Sequence, residues 1–186
     1  MFKISLLNEG QAKTNLIGRR LLIPLRERIE KEMGAAPAGT VFYYDMSNVE
    51  GINGSGADEL IAKPIKWFRE TYKNSDKYLV LINLDEEHDH IYNINLTLKE
   101  ENVAVLAKQK NQIEILGDIG DALKEILIIA NERGEITARE IVELLNKKLT
   151  LASTQLTKLF EMRLLKRYEV QLEEGGRQYI YQSLFK

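Results

Sequence analysis

The sequence predicts an α/β N-terminal domain over residues 1–116, with a mixed sheet and helices, followed by a small α+β domain over residues 117–186. Two observations carry that division. Before Gly117 the period of the apolar residues changes repeatedly between strand-like and helix-like spacing. After it the pattern settles into three amphipathic helices and one hairpin. The break between them, Gly117-Asp118-Ile119-Gly120-Asp121, has the composition of a loop.

In chain order, Phe2-Lys3-Ile4-Ser5-Leu6 alternates like a strand. From Asn15 to Met33 the spacing of Leu16, Leu21, Leu22, Leu25 and Ile29 predicts a helix. Pro24 inside it implies a kink or a late start. Gly34–Gly39 reads as a loop, and the β-branched and aromatic run Thr40–Met46 as a strand. A short loop passes Val49 and Ile52, and a helix is expected from about Gly56 to Tyr72. The unbroken apolar run Lys77–Leu84 has the length of a strand covered on both faces. Glu86–Glu100 reads as a helix, Val103–Leu106 as a short strand and Ile113–Leu116 as another. Strands alternating with helices imply a parallel or mixed sheet.

In the second domain, Leu123, Ile126, Leu127 and Ala130 share one face of a helix that ends near Gly134. Thr137-Ala138-Arg139-Glu140 is a capping box opening a second helix, with Ile141, Leu144 and Leu145 inward. Thr150 is expected to cap a third helix that buries Ala152, Leu156, Leu159 and Phe160. That leaves Leu151, Ser153, Thr154, Gln155 and Lys158 exposed. Leu164–Val170 alternates as a strand, Glu173-Glu174-Gly175-Gly176 supplies a tight turn, and Arg177–Tyr181 returns as the partner strand.

Composition narrows the function. The net charge is −2, which argues against a general polyanion binder but leaves room for a local basic face. From Asp118 onward eleven acidic residues balance eleven basic ones, so any DNA affinity must come from how the charges are segregated. There is no cysteine, hence no disulfide framework and no thiolate site. No apolar run is long enough to span a bilayer, and the N-terminal apolar stretch is too short for a signal peptide, so a cytoplasmic location is expected. Phosphate-binding loop, dinucleotide fingerprint and nucleophile elbow are all missing. We expect no enzymatic activity and no cofactor.

Three helices followed by the run "LFEMRLLKR" and the hairpin "EEGGRQYIY" resemble the winged helix-turn-helix domain of bacterial transcription regulators. The likeness spans about 65 residues, including Thr150–Lys158. It implies that the third helix lies in the major groove of double-stranded DNA, with Thr150, Ser153, Thr154, Gln155 and Lys158 toward base edges or phosphates. Arg177, on the wing, would reach the backbone or minor groove, and Lys147, Lys148, Lys166 and Arg167 would contact phosphates. The alternative is a solvated face with a wing that serves protein contacts. One residue departs from the family: the position before the apolar pair leading to the wing is often Gly, and here it is Arg163. The third helix must therefore end on a non-glycine residue in the left-handed region, or end differently.

Upstream, a strand ends in Asp45, and Asn53-Gly54-Ser55-Gly56-Ala57-Asp58-Glu59-Leu60 leads into a helix. This resembles the STAS domain of sulfate transporters and anti-sigma factor antagonists, over roughly residues 1–116. The resemblance implies that Ser55 is a phosphorylation or partner site, although the family's acidic residue is replaced by Asn53. A phosphate there would gain from helix N-terminal amides. The simpler reading makes Ser55 an N-cap with Asp58 three residues on, and Asp45 a strand-end hydrogen-bonding residue. Asp85-Glu86-Glu87-His88-Asp89-His90 has metal-ligand residue types but poor spacing, since His88 and His90 point to different sides of a helix, so no metal is expected.

Together these readings describe a regulator whose STAS-like domain senses a partner or dimerises and whose second domain binds DNA, as a homodimer that extends a short half-site. The alternative is a protein-interaction adaptor in a partner-switching pathway, its STAS-like domain binding a kinase or ATPase. A weaker third is an enzyme using Asp45 and Ser55.

Overall fold

A computed structural model describes residues 2–5, 14–71, 76–84, 89–110, 112–173 and 175–186. Its packing divides the chain into two compact units, Met1–Asp118 and Ile119–Lys186, within a mixed α/β fold. No described helix is long and apolar enough to cross a membrane.

Unit 1 runs β1 (Phe2–Ser5), β2 (Thr14–Leu16), α1 (Arg19–Ala35), β3 (Val41–Asp45), β4 (Val49–Ile52) and α2 (Gly54–Ala57). A π-helical turn, Asp58–Ala62, joins α2 to α3 (Lys63–Thr71). Then come β5 (Tyr78–Ile82), α4 (His90–Glu100), β6 (Ala104–Gln109) and β7 (Gln112–Gly117). The five-stranded sheet has the order β1-β3-β5-β6-β7, parallel except for the antiparallel pair β6–β7. In β5 the residues Tyr78, Leu79, Val80 and Leu81 are all buried, which is what an apolar run without alternation requires of a strand covered on both faces. One core joins Phe42 and Tyr44 of β3 to Ile29 and Met33 of α1, Leu60 and Ile61 of the π-helical turn, Phe68 of α3 and Leu98 of α4.

The structure differs from the sequence reading in two places here. The expected helix from Asn15 begins at Arg19, because Thr14–Leu16 pairs in parallel with Val49–Ile52 as a separate two-stranded sheet. Val49–Ile52 is therefore a strand and not a loop. Gly18, at φ 89°, turns the chain from β2 into α1, and Pro24 lies inside the continuous helix. At its far end α1 is held by Lys77, a buried residue whose ammonium donates to the carbonyls of Met33 and Gly34. Both carbonyls lie in the last turn of α1, where the regular intrahelical bonds run out and the dipole favours a cation.

Unit 2 comprises α5 (Asp121–Arg133), β8 (Glu135–Ile136), α6 (Ala138–Leu145), α7 (Leu149–Glu161), β9 (Lys166–Gln171) and β10 (Arg177–Gln182). The strands form an antiparallel sheet in the order β8-β10-β9. Leu123, Ile126, Leu127, Ile141, Ala152, Leu156, Leu159, Leu165 and Tyr181 are buried. α5 ends at Gly134, φ 80°, whose amide donates to Ala130. The capping box is present in full: Glu140 N–H donates to Thr137 Oγ1 at 3.3 Å, and Thr137 N–H donates to Glu140 Oε2 at 2.7 Å. Contrary to expectation, Leu144 is exposed; of the three α6 residues read as inward, Ile141 alone is buried, and Leu145 is half-buried.

Glu135, on β8, binds this sheet to the chain end. Its Oε1 accepts from the Tyr168 hydroxyl and the Gln182 amide at 2.8 Å each, and its Oε2 pairs with Lys186 at 3.0 Å. Lys186 foremost, then Tyr168 and Gln182, hold the Glu135 carboxyl below its ordinary value, while Glu135 pushes the Tyr168 hydroxyl up. At neutral pH these partners stabilise the folded carboxylate. As pH falls below the ordinary value near ~4.3, the unfolded chain takes up the proton first, and the stabilisation is lost as pH passes the lower folded value. We expect Glu135→Gln to lower the melting temperature of unit 2 at neutral pH, and the deficit to shrink under acid. A deficit that stays constant in circular dichroism melts across that range contradicts the assignment.

Candidate nucleic-acid interface

The turn from α6 to α7 is Asn146-Lys147-Lys148, with Asn146 in the left-handed region at φ 50°, a conformation that Asn tolerates. Lys148, not Thr150, is the N-cap of α7, and no side chain caps it. Thr150 lies inside the first turn. The expectation failed because Leu149 is already helical, which moves every capping position back by two.

Burial of Ala152, Leu156 and Leu159 fixes which side of α7 faces the core. At 3.6 residues per turn, Thr150, Leu151, Thr154, Lys158 and Glu161 lie on the opposite side, and all five are exposed. Ser153 is exposed at one margin. Gln155, at the other, is half-buried, with a buried Oε1 that has no hydrogen-bond partner among the described residues. Thr157 and Tyr181 share a hydroxyl–hydroxyl bond of 3.0 Å that ties α7 to β10.

α7 ends without glycine. Arg163 N–H donates to Phe160 O at 2.9 Å and Leu164 N–H to Leu159 O at 3.0 Å, with Arg163 at φ 65°. This is the double bond of a Schellman end with arginine in the glycine place. Arg163 is buried and its guanidinium lies 5.5 Å from the Phe160 ring. Arg167 is held more tightly, its guanidinium 4.0 Å from the Phe160 ring and 4.5 Å from that of Tyr179. Two aromatic rings thus pack against the Arg167 guanidinium, and its N–H edges are what it can offer a phosphate.

Besides Arg163 and Arg167, the cations of unit 2 divide into two groups. Lys147 pairs with Glu125 at 3.1 Å, Arg133 with Glu140 at 3.7 Å, Arg177 with Glu169 at 3.3 Å and Lys186 with Glu135 at 3.0 Å. Lys148, Lys158 and Lys166 make no ion pair among the described residues, nor do Lys124 on α5 and Arg139 on α6. Of the sequence-derived set, α7 brings Thr150, Ser153, Thr154, Gln155 and Lys158 onto one helix, while Arg177 stands at the far end of β10 with its charge already partnered.

Unit 1 carries a second polar constellation. Asn53, not Ser55, caps α2: its Oδ1 accepts from Gly56 N–H at 3.0 Å and from the Ser55 hydroxyl at 2.9 Å. Asp58 is not part of a capping box with Ser55, since it binds Arg19 and lies 3.9 Å from Lys63. Glu59 is fully buried, yet its carboxylate meets Arg19 at 3.1 Å, Arg26 at 3.4 Å and Lys63. The Arg26 approach is an ion pair without hydrogen-bond alignment, as neither Arg26 Nε nor Glu59 Oε1 has a bonded partner among the described residues. Arg19, held first by Asp58, is pushed above its ordinary value. Glu30, 3.9 Å from Arg26, is raised by burial. Sequence reading missed this cluster because its partners lie some 40 residues apart. Its one local signal is the Glu59–Lys63 spacing of four.

Asp45 is a strand-end residue: Oδ1 accepts from Ser47 N–H at 3.1 Å and from the Asn83 amide at 2.8 Å. His90 is buried and donates from Nε2 to the Glu50 carbonyl at 3.1 Å. Asp85–His88 of the metal reading, and the cap assigned to Asp85, lie outside the described residues; among the described ones no group of metal-ligand side chains forms. No family model, curated protein or solved structure matches this chain.

Proposed function

We propose that the chain is a two-domain DNA-binding transcription regulator, with unit 2 a winged helix that lays α7 in the major groove and unit 1 a STAS-like domain for sensing, partner binding or dimerisation. The observation that carries this reading is the pair of exposed lysines, Lys148 and Lys158, at the two ends of α7. Lys148, at the N-cap of α7, and Lys158, in its last turn, make no ion pair among the described residues; between them the outward face offers hydroxyls and apolar groups, and Glu161 follows Lys158. Four other cations of the unit are matched by carboxylates. Exposed ammonium groups at the two ends of a helix face whose middle is neutral suit phosphate contacts that position and neutral contacts that read. Arg177, neutralised by Glu169, ranks below Lys158 as a contact in this account.

The experiment is fluorescence anisotropy of a labelled random-sequence duplex titrated with the full chain at low salt. Lys148→Ala and Lys158→Ala are expected to weaken binding several-fold each and to lower the salt slope by about one per lysine. Lys147→Ala, already paired with Glu125, is the control and changes it less. Equal losses at all three positions would remove the basis for choosing this face.

A second reading, the interaction adaptor, is favoured by one observation. Leu144, Leu149 and Leu151 are exposed at the end of α6 and the start of α7, and apolar side chains there suit a protein surface. Under that reading duplex binding is absent at low salt.

A further inference from the structure

We infer that the outward face of α7 recognises thymine methyl groups, through Leu151 and the γ-methyl of Thr154. This rests on the reading of α7 as a major-groove helix. Thr150, Leu151, Thr154, Lys158 and Glu161 share the side opposite the buried Ala152, Leu156 and Leu159. At its centre are Thr154 and Leu151, the latter 48% exposed.

Thr154 does not present its hydroxyl as a donor. Oγ1 donates to the Thr150 carbonyl at 2.8 Å, back along the helix. The three staggered positions at Cβ then turn the γ-methyl away from that bond, on an exposed side chain. The middle of the face is therefore aliphatic, with Leu151 one helical turn before Thr154. In the major groove one base edge has an apolar group to match it, the C5-methyl of thymine.

Charge selects DNA over an apolar protein as the occupant. Lys148 precedes the aliphatic stripe and Lys158 follows it, and neither is paired among the described residues. Glu161, exposed at the C-terminal end of the same face, opposes a phosphate there, so the contact ends at Lys158. Two cations bracketing an aliphatic centre are complementary to a thymine-bearing groove between phosphate backbones.

The test begins with sequences selected by the full chain from a random duplex library at low salt. Each thymine of the best duplex is then replaced in turn by deoxyuridine, which lacks the methyl and keeps the pairing. Affinity is expected to fall about four-fold at one or more positions, the worth of burying one methyl-sized group. Leu151→Ala should abolish the penalty at one position. Thr154→Ser, which keeps the hydroxyl bond and removes the methyl, should abolish it at another. Both should leave the salt slope intact. Salt-dependent binding with equal affinity for every thymine and deoxyuridine duplex overturns the methyl reading and leaves DNA binding standing. Absence of any binding or enrichment at low salt overturns both and returns the aliphatic face to a protein partner.

Discussion

Replacing Gly117 with alanine is expected to destabilise unit 1 by about 4 kcal/mol, the sum of backbone strain and forced overpacking. Gly117 ends β7 at φ 102°, a region that side chains rarely enter, and a Cβ there would lie 2.1 Å from the Val103 carbonyl oxygen and 2.9 Å from Ala104 Cα. Both are backbone atoms of the β6 entry, held by Asp118 N–H to Val103 O at 3.1 Å and by the pairing of Ala104 with Gly117. The Gly117 amide also donates to Asn95 on α4 at 2.8 Å, so any shift that relieves the clash breaks a helix–sheet tie. The measurement is denaturant unfolding followed by Trp67 fluorescence. Trp67 is the single tryptophan and packs against the core of unit 1, so its signal reports that unit. A change below about 1 kcal/mol would mean that this edge yields, and that the sheet is not rigid there.

Glu59→Ala is expected to cost about 3 kcal/mol by the same signal, at the lower end of the range for opening a buried ion pair. Glu59 has no solvent exposure, while its three cations sit between it and water: Arg26 and Lys63 half-buried, Arg19 more exposed. Removing the carboxylate takes the nearer of two acids from the buried Arg26 Nε and leaves it Glu30 at 3.9 Å. Arg19 and Lys63 keep Asp58 and water, which limits the damage. Glu59→Gln retains volume and one acceptor and should fall between wild type and alanine. Alanine and glutamine variants of equal stability would show that packing, not charge, holds the π-helical turn.

Features set by a few consecutive residues were legible in the sequence. The Thr137–Glu140 box and the end of α5 at Gly134 follow from local chemistry, and the structure has both; of the two endings left open for α7, it shows the left-handed Arg163. What depends on a distant partner was not. Val49–Ile52 becomes a strand because Thr14–Leu16 lies beside it, and the two-residue β8 exists because Tyr181 and Gln182 pair with it. Caps at Ser55 and Thr150 were placed wrongly by two residues in each case, since the residue type named a capping position without fixing where the helix begins.

The candidate interface shows the same division. Helical spacing alone sorts α7 into a buried and an outward side. Which cations are free does not follow from spacing, because Lys147 meets Glu125 across 22 residues, whereas its neighbour Lys148 meets no acid among the described residues. Arg167 reads as a surface cation in sequence and proves to lie against the rings of Phe160 and Tyr179.

The central claim is that unit 2 binds duplex DNA through α7. Its most direct test is the affinity of the full chain for duplex DNA as a function of salt, with Lys158→Ala alongside. The account predicts a log–log slope of at least about −2, from Lys148 and Lys158 at ~0.9 each, and a slope shallower by about one in the variant. Duplex binding that is absent at low salt, or whose slope Lys158→Ala leaves unchanged, would contradict it.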